Sequence, residues 1–323
     1  MTAKSSEAIA TARPARGIVF PPGPDGSPSS RQAGTRIVAA ALAAVDASHA
    51  DDALGERRWR HAYPHHFRRL VSDGMRSSQA ALSSARAGLE MAWDSLQWHG
   101  EGGTGSLREA LASSAPPLHS ATLHGRGAAR PAAWQVPYRG GVLKGSALAA
   151  QIDDWLARGI IESSAALALH RCLNNPEWFD LSDRTMVLLG AGSEAGPLRW
   201  LASWRARIVA VDIPVESVWR RIGAIVTDGN GTLIAPVRRT TRASDDEAAW
   251  LADAGVDLLT ETPQAAAWVC AQDGPFAVAA LGYLDGERHV RLSLAMDMIQ
   301  VATARDPRTS MAWMATGSAW RSR

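Results

Sequence analysis

The C-terminal half of the chain alternates short apolar runs with segments whose apolar residues recur at helical spacing. Apolar runs bounded by turn residues are typical of strands buried on both faces of a parallel sheet. This pattern predicts an α/β domain. The strands are predicted at 185–189, 207–211, 232–237, 256–259 and 276–283. The helices are predicted at 197–205, 215–222, 245–254, 263–271 and 292–305.

The region before this alternation has a mainly helical pattern. Ile37, Ala41 and Val45 recur every four residues, as one apolar face of a helix requires. The stretch 77–98 has few β-branched residues and no proline, so it also predicts a helix. A glycine-rich break follows at 99–106. A hairpin is predicted at 136–144, and two more helices are predicted at 146–158 and 163–174.

These patterns divide the chain into three parts. Residues 1–36 are rich in Ser, Ala, Arg and Pro, and they lack the continuous apolar core of a secretory signal. We predict a disordered tail there, with an organellar transit peptide as the alternative. The mainly helical region spans 37–180, and the α/β domain spans 181–323.

Composition narrows the functional classes. The chain has 323 residues, 46% of them hydrophobic and 20% charged, with a formal net charge of +2. This near-neutral balance gives no reason to expect a nucleic-acid partner. Two cysteines argue against a disulfide framework or a cysteine-rich metal site, and no apolar run approaches the ~20 residues of a membrane span. We expect a cytoplasmic protein with a small-molecule substrate and no metal; composition leaves the oligomeric state open.

The most informative segment joins the first two strands of the α/β domain. Gly190-Ala191-Gly192 follows the first strand, and Asp212 follows the second, 22 residues after Gly190. Glycines at such a turn let the backbone approach a phosphate, and the N-terminus of the next helix supplies unpaired N–H groups. A carboxylate after the second strand can accept hydrogen bonds from ribose hydroxyls. The segment therefore predicts a nucleotide-binding site.

This segment resembles the nicotinamide and flavin branch of the Rossmann superfamily, whose first turn is G-x-G-x-x-G or G-x-G-x-x-A. Gly190, Gly192 and Ala195 occupy those positions, and Asp212 occupies that of the ribose-binding acid. The resemblance implies that Gly190 makes the tight turn and Gly192 admits the pyrophosphate. It also implies that Ala195 lets the helix pack on the strand. The implied protein is an oxidoreductase that uses NAD or NADP on a small organic metabolite, and the acid favours NAD.

The S-adenosylmethionine-dependent methyltransferases also combine a glycine-rich first turn with an acid after the second strand. Leu189 to Gly196 is similar to their LGAGxGxxG segment, with two departures. Leu188 and Leu189 stand where an acid is usual, and Glu194 replaces a further glycine, where its carboxylate would crowd the methionine moiety. A deep pocket beside Gly192 with Glu194 turned outward would favour a small-molecule methyltransferase.

Pro197 bears on both alternatives. A proline at the first helical turn is tolerated, but it removes one N–H donor from a phosphate site if the helix begins there. A third alternative is a non-catalytic protein whose vestigial Rossmann-like domain keeps these glycines only for packing.

Ligands of open parallel sheets bind beyond the carboxyl ends of the strands, so the other strand ends are candidates for catalysis. Tyr283, Asp285 and His289 follow the last predicted strand. Histidine titrates near neutrality, and tyrosine can donate a proton to a carbonyl oxygen. A nicotinamide ring is expected near Thr260. Alternatively, Asp285-Gly286 forms a hairpin turn. The Tyr-x-x-x-Lys pair of short-chain dehydrogenases is absent from the sequence.

Three histidines lie in an arginine-rich segment of the helical region. His61 and His65 have the spacing of a metal-binding pair on a continuous helix, but Pro64 is expected to break that helix. With His66 included, no nearby carboxylate or cysteine completes a ligand set. We therefore predict a solvated basic face.

Overall fold

The chain divides into two compact units, Met1–Ser113 and Ser114–Arg323. The N-terminal unit is mainly helical, and the C-terminal unit contains a mostly parallel sheet with helices, which confirms the predicted fold class. No helix within the described part of the chain is long and apolar enough to cross a membrane. The computed structural model describes residues 16–24, 26–101, 103–239 and 247–313.

Helices make up most of the N-terminal unit. Three of them begin at serine caps, because the side chains of Ser29, Ser77 and Ser106 accept the N–H groups of the residues three positions later. The helices are α1 (Ser30–Ala43), α2 (Ala47–Gly55), α3 (Trp59–Gly74), α4 (Ser78–Ser95) and α5 (Leu107–Ala112). An antiparallel sheet, in the order β1-β2-β3, contains β1 (Gly17–Val19), β2 (Gln97–Gly100) and β3 (Gly103–Ser106).

This unit differs from the sequence prediction in three places. β1 and α1 begin within the predicted tail 1–36, because Ile18 and one face of α1 are buried; residues 1–15 lie outside the described part. The glycine-rich break at 99–106 contributes to the β2–β3 hairpin. Helix α3 also continues through Pro64. That proline is the sixth residue of the helix, so α3 continues without the backbone hydrogen bond that an N–H at this position would donate.

A six-stranded sheet forms the centre of the C-terminal unit, in the order β11-β10-β7-β8-β9-β4. Its neighbours are parallel except for β4 and β9, which pair antiparallel. The remaining two strands, β5 and β6, form a separate hairpin. The strands are β4 (His119–His124), β5 (Gln135–Tyr138), β6 (Gly141–Lys144), β7 (Thr185–Leu189), β8 (Arg207–Val211), β9 (Thr232–Val237), β10 (Phe276–Ala280) and β11 (Ser310–Trp313).

Helices of this unit pack their apolar faces against the sheet. Leu201, Trp219 and Ile222 belong to the same buried cluster as Ile208 of β8. The Trp219 indole N–H donates to the carbonyl of Ile213 at 3.0 Å, so this fully buried tryptophan is satisfied. The helices are α6 (Gly145–Ala157), α7 (Ser163–Asn174), α8 (Leu198–Ser203), α9 (Glu216–Asp228), α10 (Glu247–Asp253), α11 (Thr262–Cys270) and α12 (Glu287–Thr303).

The sequence prediction is correct for β7, β8 and β9, for the β5–β6 hairpin and for helices α6 and α7, and it needs correction at the other two predicted strands. No strand forms at 256–259, because this segment passes the end of β8, where the Val256 N–H donates to the Asp212 carbonyl. The strand predicted at 276–283 ends at Ala280. The second compact unit begins at Ser114, and β4 belongs to its sheet.

Candidate functional site

The candidate site lies where the strand order of the sheet reverses. β7 pairs with β8 on one side and with β10 on the other, so the chain builds outward to β9 before it crosses back to β10. Such a reversal leaves a crevice beyond the carboxyl ends of the central strands, where ligands of open α/β sheets bind. Gly190 follows β7 and Gly282 follows β10 at this crevice.

Gly190 makes the tight turn that the sequence predicts. Its φ is +90°, a conformation that glycine adopts without strain. A Cβ atom at this position would lie 2.6 Å from the backbone nitrogen of Gly282. The N–H groups of Leu281 and Gly282 both donate to the carbonyl of Leu189, at 2.8 and 2.9 Å. The two strand ends are therefore too close for a side chain at residue 190.

Asp212 holds the turn from the neighbouring strand. Its Oδ2 accepts the N–H of Gly192 at 2.7 Å, and its Oδ1 accepts the N–H of Ile213 at 2.8 Å. Arg221 of α9 donates from Nη2 to the carbonyl of Gly192 at 2.6 Å. Burial raises the pKa of Asp212 above its ordinary value, against the opposing effect of these hydrogen bonds and of Arg221. The structure thus brings together three predicted residues, Gly190, Gly192 and Asp212.

The rest of the loop differs from the predicted phosphate cradle. The N–H groups of Gly190 and Ala191 donate to the carbonyl of Val211, and that of Ser193 donates to Gly190. Helix α8 begins only at Leu198. Ala195 is exposed and precedes that helix, so it does not lie between helix and strand, where its small side chain was expected to let the two pack closely.

A cavity of about 510 Å³ opens beside this turn, within the usual range for small-molecule sites. Gly190, Gly192 and Asp212 line it, whereas Ala195 does not. Glu194 is exposed and lies outside the lining. Most of the wall is apolar and comes from residues after β8 and β10 and from the segment 256–259.

The segment 256–259 supplies a site residue that the sequence analysis missed. Asp257 lines the cavity; its Oδ1 accepts the N–H of Leu259 at 2.9 Å and its Oδ2 accepts the Thr260 hydroxyl at 3.0 Å. Thr260, a predicted cofactor-binding residue, does not itself line the cavity. Asp257 was overlooked because it lies inside the strand predicted at 256–259. An acid so near the end of an apolar run was the available signal.

The three predicted catalytic residues lie together after β10. The Tyr283 hydroxyl is 3.4 Å from Oδ1 of Asp285, and the Tyr283 and His289 rings are 4.8 Å apart between centroids. The Leu284 N–H approaches Nδ1 of His289 at 3.4 Å. Tyr283 lines the cavity, whereas Asp285 and His289 do not. The alternative of a hairpin at Asp285-Gly286 is wrong, because Gly286 precedes helix α12.

Two arginines of the cavity wall also escaped the sequence analysis. Arg221 lies on the helix after β8, and Arg288 lies in the first turn of α12. Arg288 is adjacent to the predicted His289, so its position was the available signal. Nothing in the spacing singled out Arg221, since its contact with the glycine turn depends on how α9 packs.

The histidine-rich segment of the N-terminal unit differs from the predicted solvated face in one residue. His66 is buried and stacks on Trp59, with centroids 5.5 Å apart and an interplanar angle of 13°. Burial lowers its pKa, and neither ring nitrogen has a hydrogen-bond partner in the described part of the chain. His61 and His65 are exposed. Among the described residues, no group of three or more His, Cys, Asp or Glu side chains is arranged to hold a metal ion.

The comparisons with known proteins add no relative. No protein-family model, curated protein or solved structure matches the chain. Function must therefore be argued from the geometry of the cavity and of its lining residues.

Proposed function

We propose that the C-terminal unit is a Rossmann-like, S-adenosylmethionine-dependent methyltransferase that acts on a small organic molecule. The observation that carries the proposal is the cavity beside Gly192, from which the exposed side chain of Glu194 is excluded. Glu194 inside the cavity would crowd the methionine moiety of S-adenosylmethionine, so its position outside leaves room for the methyl donor.

The hydrogen bonds of the turn support the methyl donor over a dinucleotide. The N–H groups of Gly190, Gly192 and Ser193 already donate within the protein. Helix α8 begins only at Leu198, behind Pro197. A pyrophosphate at this turn would need such donors, whereas S-adenosylmethionine carries no phosphate. The turn as folded therefore suits a nucleoside ligand.

The adenosine part of the donor fits the half of the cavity beyond β8. Each carboxylate oxygen of Asp212 accepts one backbone N–H and retains a lone pair for a ribose hydroxyl. Ile213 and Leu258 supply apolar wall for the adenine ring. Asp257, beside Leu258, is placed to accept a hydrogen bond from the adenine amino group.

The residues after β10 would handle the proton of the methyl acceptor. When bound, S-adenosylmethionine supplies an electrophilic methyl group. Tyr283 lines this end of the cavity, and its hydroxyl lies near the Asp285 carboxylate. The Tyr283 oxygen can take the acceptor's proton as its own proton passes to Asp285. His289 packs on the Tyr283 ring and holds it in position.

The second candidate is an oxidoreductase that uses NAD or NADP. Asp212 could bind a ribose hydroxyl of the adenosine in either cofactor. Arg221 beside it could donate hydrogen bonds to the 2′-phosphate of NADP. Tyr283 with His289 could donate a proton to a substrate carbonyl. This candidate requires the turn after Gly190 to release N–H groups that now donate within the protein.

A calorimetric titration of the full chain distinguishes these candidates. S-adenosylmethionine, S-adenosylhomocysteine, NAD and NADP would be titrated into the wild type, Asp212→Asn and Asp183→Asn. Asp183 is an exposed acid outside the cavity, so it serves as the matched control.

We expect the two sulfur nucleosides to bind, and Asp212→Asn to weaken them about tenfold or more through loss of charge-assisted hydrogen bonds. Asp183→Asn should bind as the wild type does. Binding of a dinucleotide alone would instead favour the oxidoreductase. Binding of none of the four would leave the vestigial, non-catalytic domain.

A further inference from the structure

The charged side chains that line the candidate site differ in how they are bonded. Asp212 and Asp257 each accept two hydrogen bonds within the protein, and Arg221 donates to a backbone carbonyl. Arg288 is the remaining charged residue of the cavity wall. Among the residues that the structure describes, no ion pair or side-chain hydrogen bond engages its guanidinium group. Its charge is therefore available to a ligand.

The surroundings of Arg288 define what such a ligand would resemble. Tyr283, Leu284 and Leu292 line the same end of the cavity and offer an aromatic face and aliphatic surface. The neighbouring acid Glu287 pairs with Arg291 and not with Arg288, with 3.8 Å between Oε1 of Glu287 and Nη1 of Arg291. A molecule with an apolar body and one anionic group would match this end of the cavity.

We propose that Arg288 is a specificity-determining residue that binds the carboxylate of the methyl acceptor, and that the acceptor is a small carboxylic acid whose apolar body carries a separate hydroxyl, the group that loses its proton and receives the methyl. The inference rests on the proposed methyltransferase function. A carboxylate suits this position because the planar guanidinium group can donate two parallel hydrogen bonds to its oxygens. The acceptor would then lie with its body against Tyr283, the residue proposed to take its proton.

The position of Arg288 separates this role from binding of the methyl donor. Asp212 and Asp257, proposed to bind adenosine, lie on the β8 side of the glycine turn. Arg288 lies on α12, after β10, on the opposite side of β7. Residues on the β8 side would hold the adenosine part of the donor, and Tyr283 and Arg288 after β10 would bind the acceptor.

Two probes of equal shape and different charge test the inference. Benzoate and benzamide would be titrated calorimetrically into the full chain saturated with S-adenosylhomocysteine. The variants are Arg288→Gln, Arg288→Lys and the control Arg199→Gln, an exposed arginine of α8 that does not line the cavity. Both positions, 288 and 199, are exposed, so the three substitutions should leave the core intact.

We expect the wild type and Arg199→Gln to bind benzoate about tenfold more tightly than benzamide. Arg288→Gln should abolish this preference, and Arg288→Lys should retain part of it, because an ammonium keeps the charge but not the planar fork. Equal binding of the two probes by the wild type, or binding of neither, would overturn the inference.

The outcome for the donor is scored separately. If Arg288→Gln weakens S-adenosylhomocysteine itself, Arg288 serves the donor and the inference is overturned while the methyltransferase proposal stands. If the wild type binds no S-adenosylhomocysteine, the methyltransferase proposal fails. A benzoate preference measured on the free protein and removed by Arg288→Gln would still support the anion site.

Discussion

The backbone N–H of Gly192 donates a hydrogen bond of 2.7 Å to Oδ2 of Asp212. The bond joins the loop after β7 to the end of β8, and Arg221 braces it by donating to the carbonyl of the same glycine. The carboxylate that is proposed to bind ribose therefore also fixes the conformation of the turn. A change in its charge should affect the turn and ligand binding together.

Binding of S-adenosylmethionine should weaken on acidification at a higher pH than an ordinary aspartate would cause. Burial raises the pKa of Asp212 above the usual value of about 3.9, and the ribose hydroxyls need the ionised form. Affinity should therefore fall as the pH falls through this raised pKa. Calorimetry across mildly acidic pH checks it, with Asp212→Asn as the reference whose affinity lacks this dependence.

The stability of the ligand-free protein should show the opposite sign. A raised pKa means that the folded state binds the Asp212 proton more tightly than the unfolded state does. The contribution is present at low pH and is lost as the pH rises through the folded pKa. Urea unfolding should therefore show the wild type losing stability relative to Asp212→Asn over that interval; a constant difference would contradict the assignment.

Replacing Gly190 by alanine should destabilise the C-terminal unit by about 3 kcal/mol. The substitution strains a backbone at φ +90° and also places Cβ 2.6 Å from the Gly282 nitrogen. Gly159→Ala is the matched control, because Gly159 has φ +66° but no atom within 4 Å of its Cβ position. The control should cost only about 1 kcal/mol in urea unfolding. Equal losses would mean that the close approach of β7 and β10 is unimportant.

Arg221→Gln should weaken binding of S-adenosylhomocysteine several-fold, whereas Arg220→Gln should not. Arg221 donates to Gly192 and lowers the pKa of Asp212, so its loss loosens the turn and raises that pKa further. Arg220 lies beside it on α9 but pairs with Glu216 on the surface, where such a pair contributes little. The pH below which S-adenosylhomocysteine binding weakens should be higher in Arg221→Gln than in the wild type, and it should be unchanged in Arg220→Gln.

Acidification should destabilise the N-terminal unit through His66. Burial lowers the pKa of its imidazole below about 6.5, so the unfolded state binds more protons as the pH falls through that value. His65 and Arg69 on its own helix oppose protonation, whereas Asp52 of α2 and Glu56 just after α2 favour it less strongly.

The matched variants for this prediction are His66→Phe and His61→Phe. Unfolding followed by tryptophan fluorescence at about pH 7.5 and about pH 5.5 should show a smaller loss for His66→Phe than for the wild type, because its ring keeps the stack on Trp59 without a titrating nitrogen. His61 is exposed on the same helix, so His61→Phe should lose as much stability as the wild type.

The sequence predicted the elements that have a strong local pattern. β7, β8 and β9 are apolar runs bounded by turn residues, and the spacing from Gly190 to Asp212 marks two strand ends that meet at one edge of the sheet. These features are local in the chain, so periodicity and turn chemistry suffice to find them.

Features that depend on packing escaped prediction. The segment at 256–259 has the composition of a strand, yet it passes the end of β8 without joining a ladder. Arg221 is one of two adjacent arginines on its helix, and only the packing of α9 brings it to the glycine turn. Helix α8 begins only at Leu198, because the N–H groups of Ser193 and Gly196 donate to carbonyls within the loop that precedes it.

The edge strand β4 has a consequence for how the protein is made. His119 of β4 pairs with Val237 of β9, 118 residues later in the chain. The apolar face of β4, with Ala121 and Leu123, therefore emerges from the ribosome long before its partner exists. Such distant pairings form slowly, because a large loop must close first. Until β9 is synthesised, this strand needs shielding, and its docking should be a late step that completes an already assembled parallel sheet.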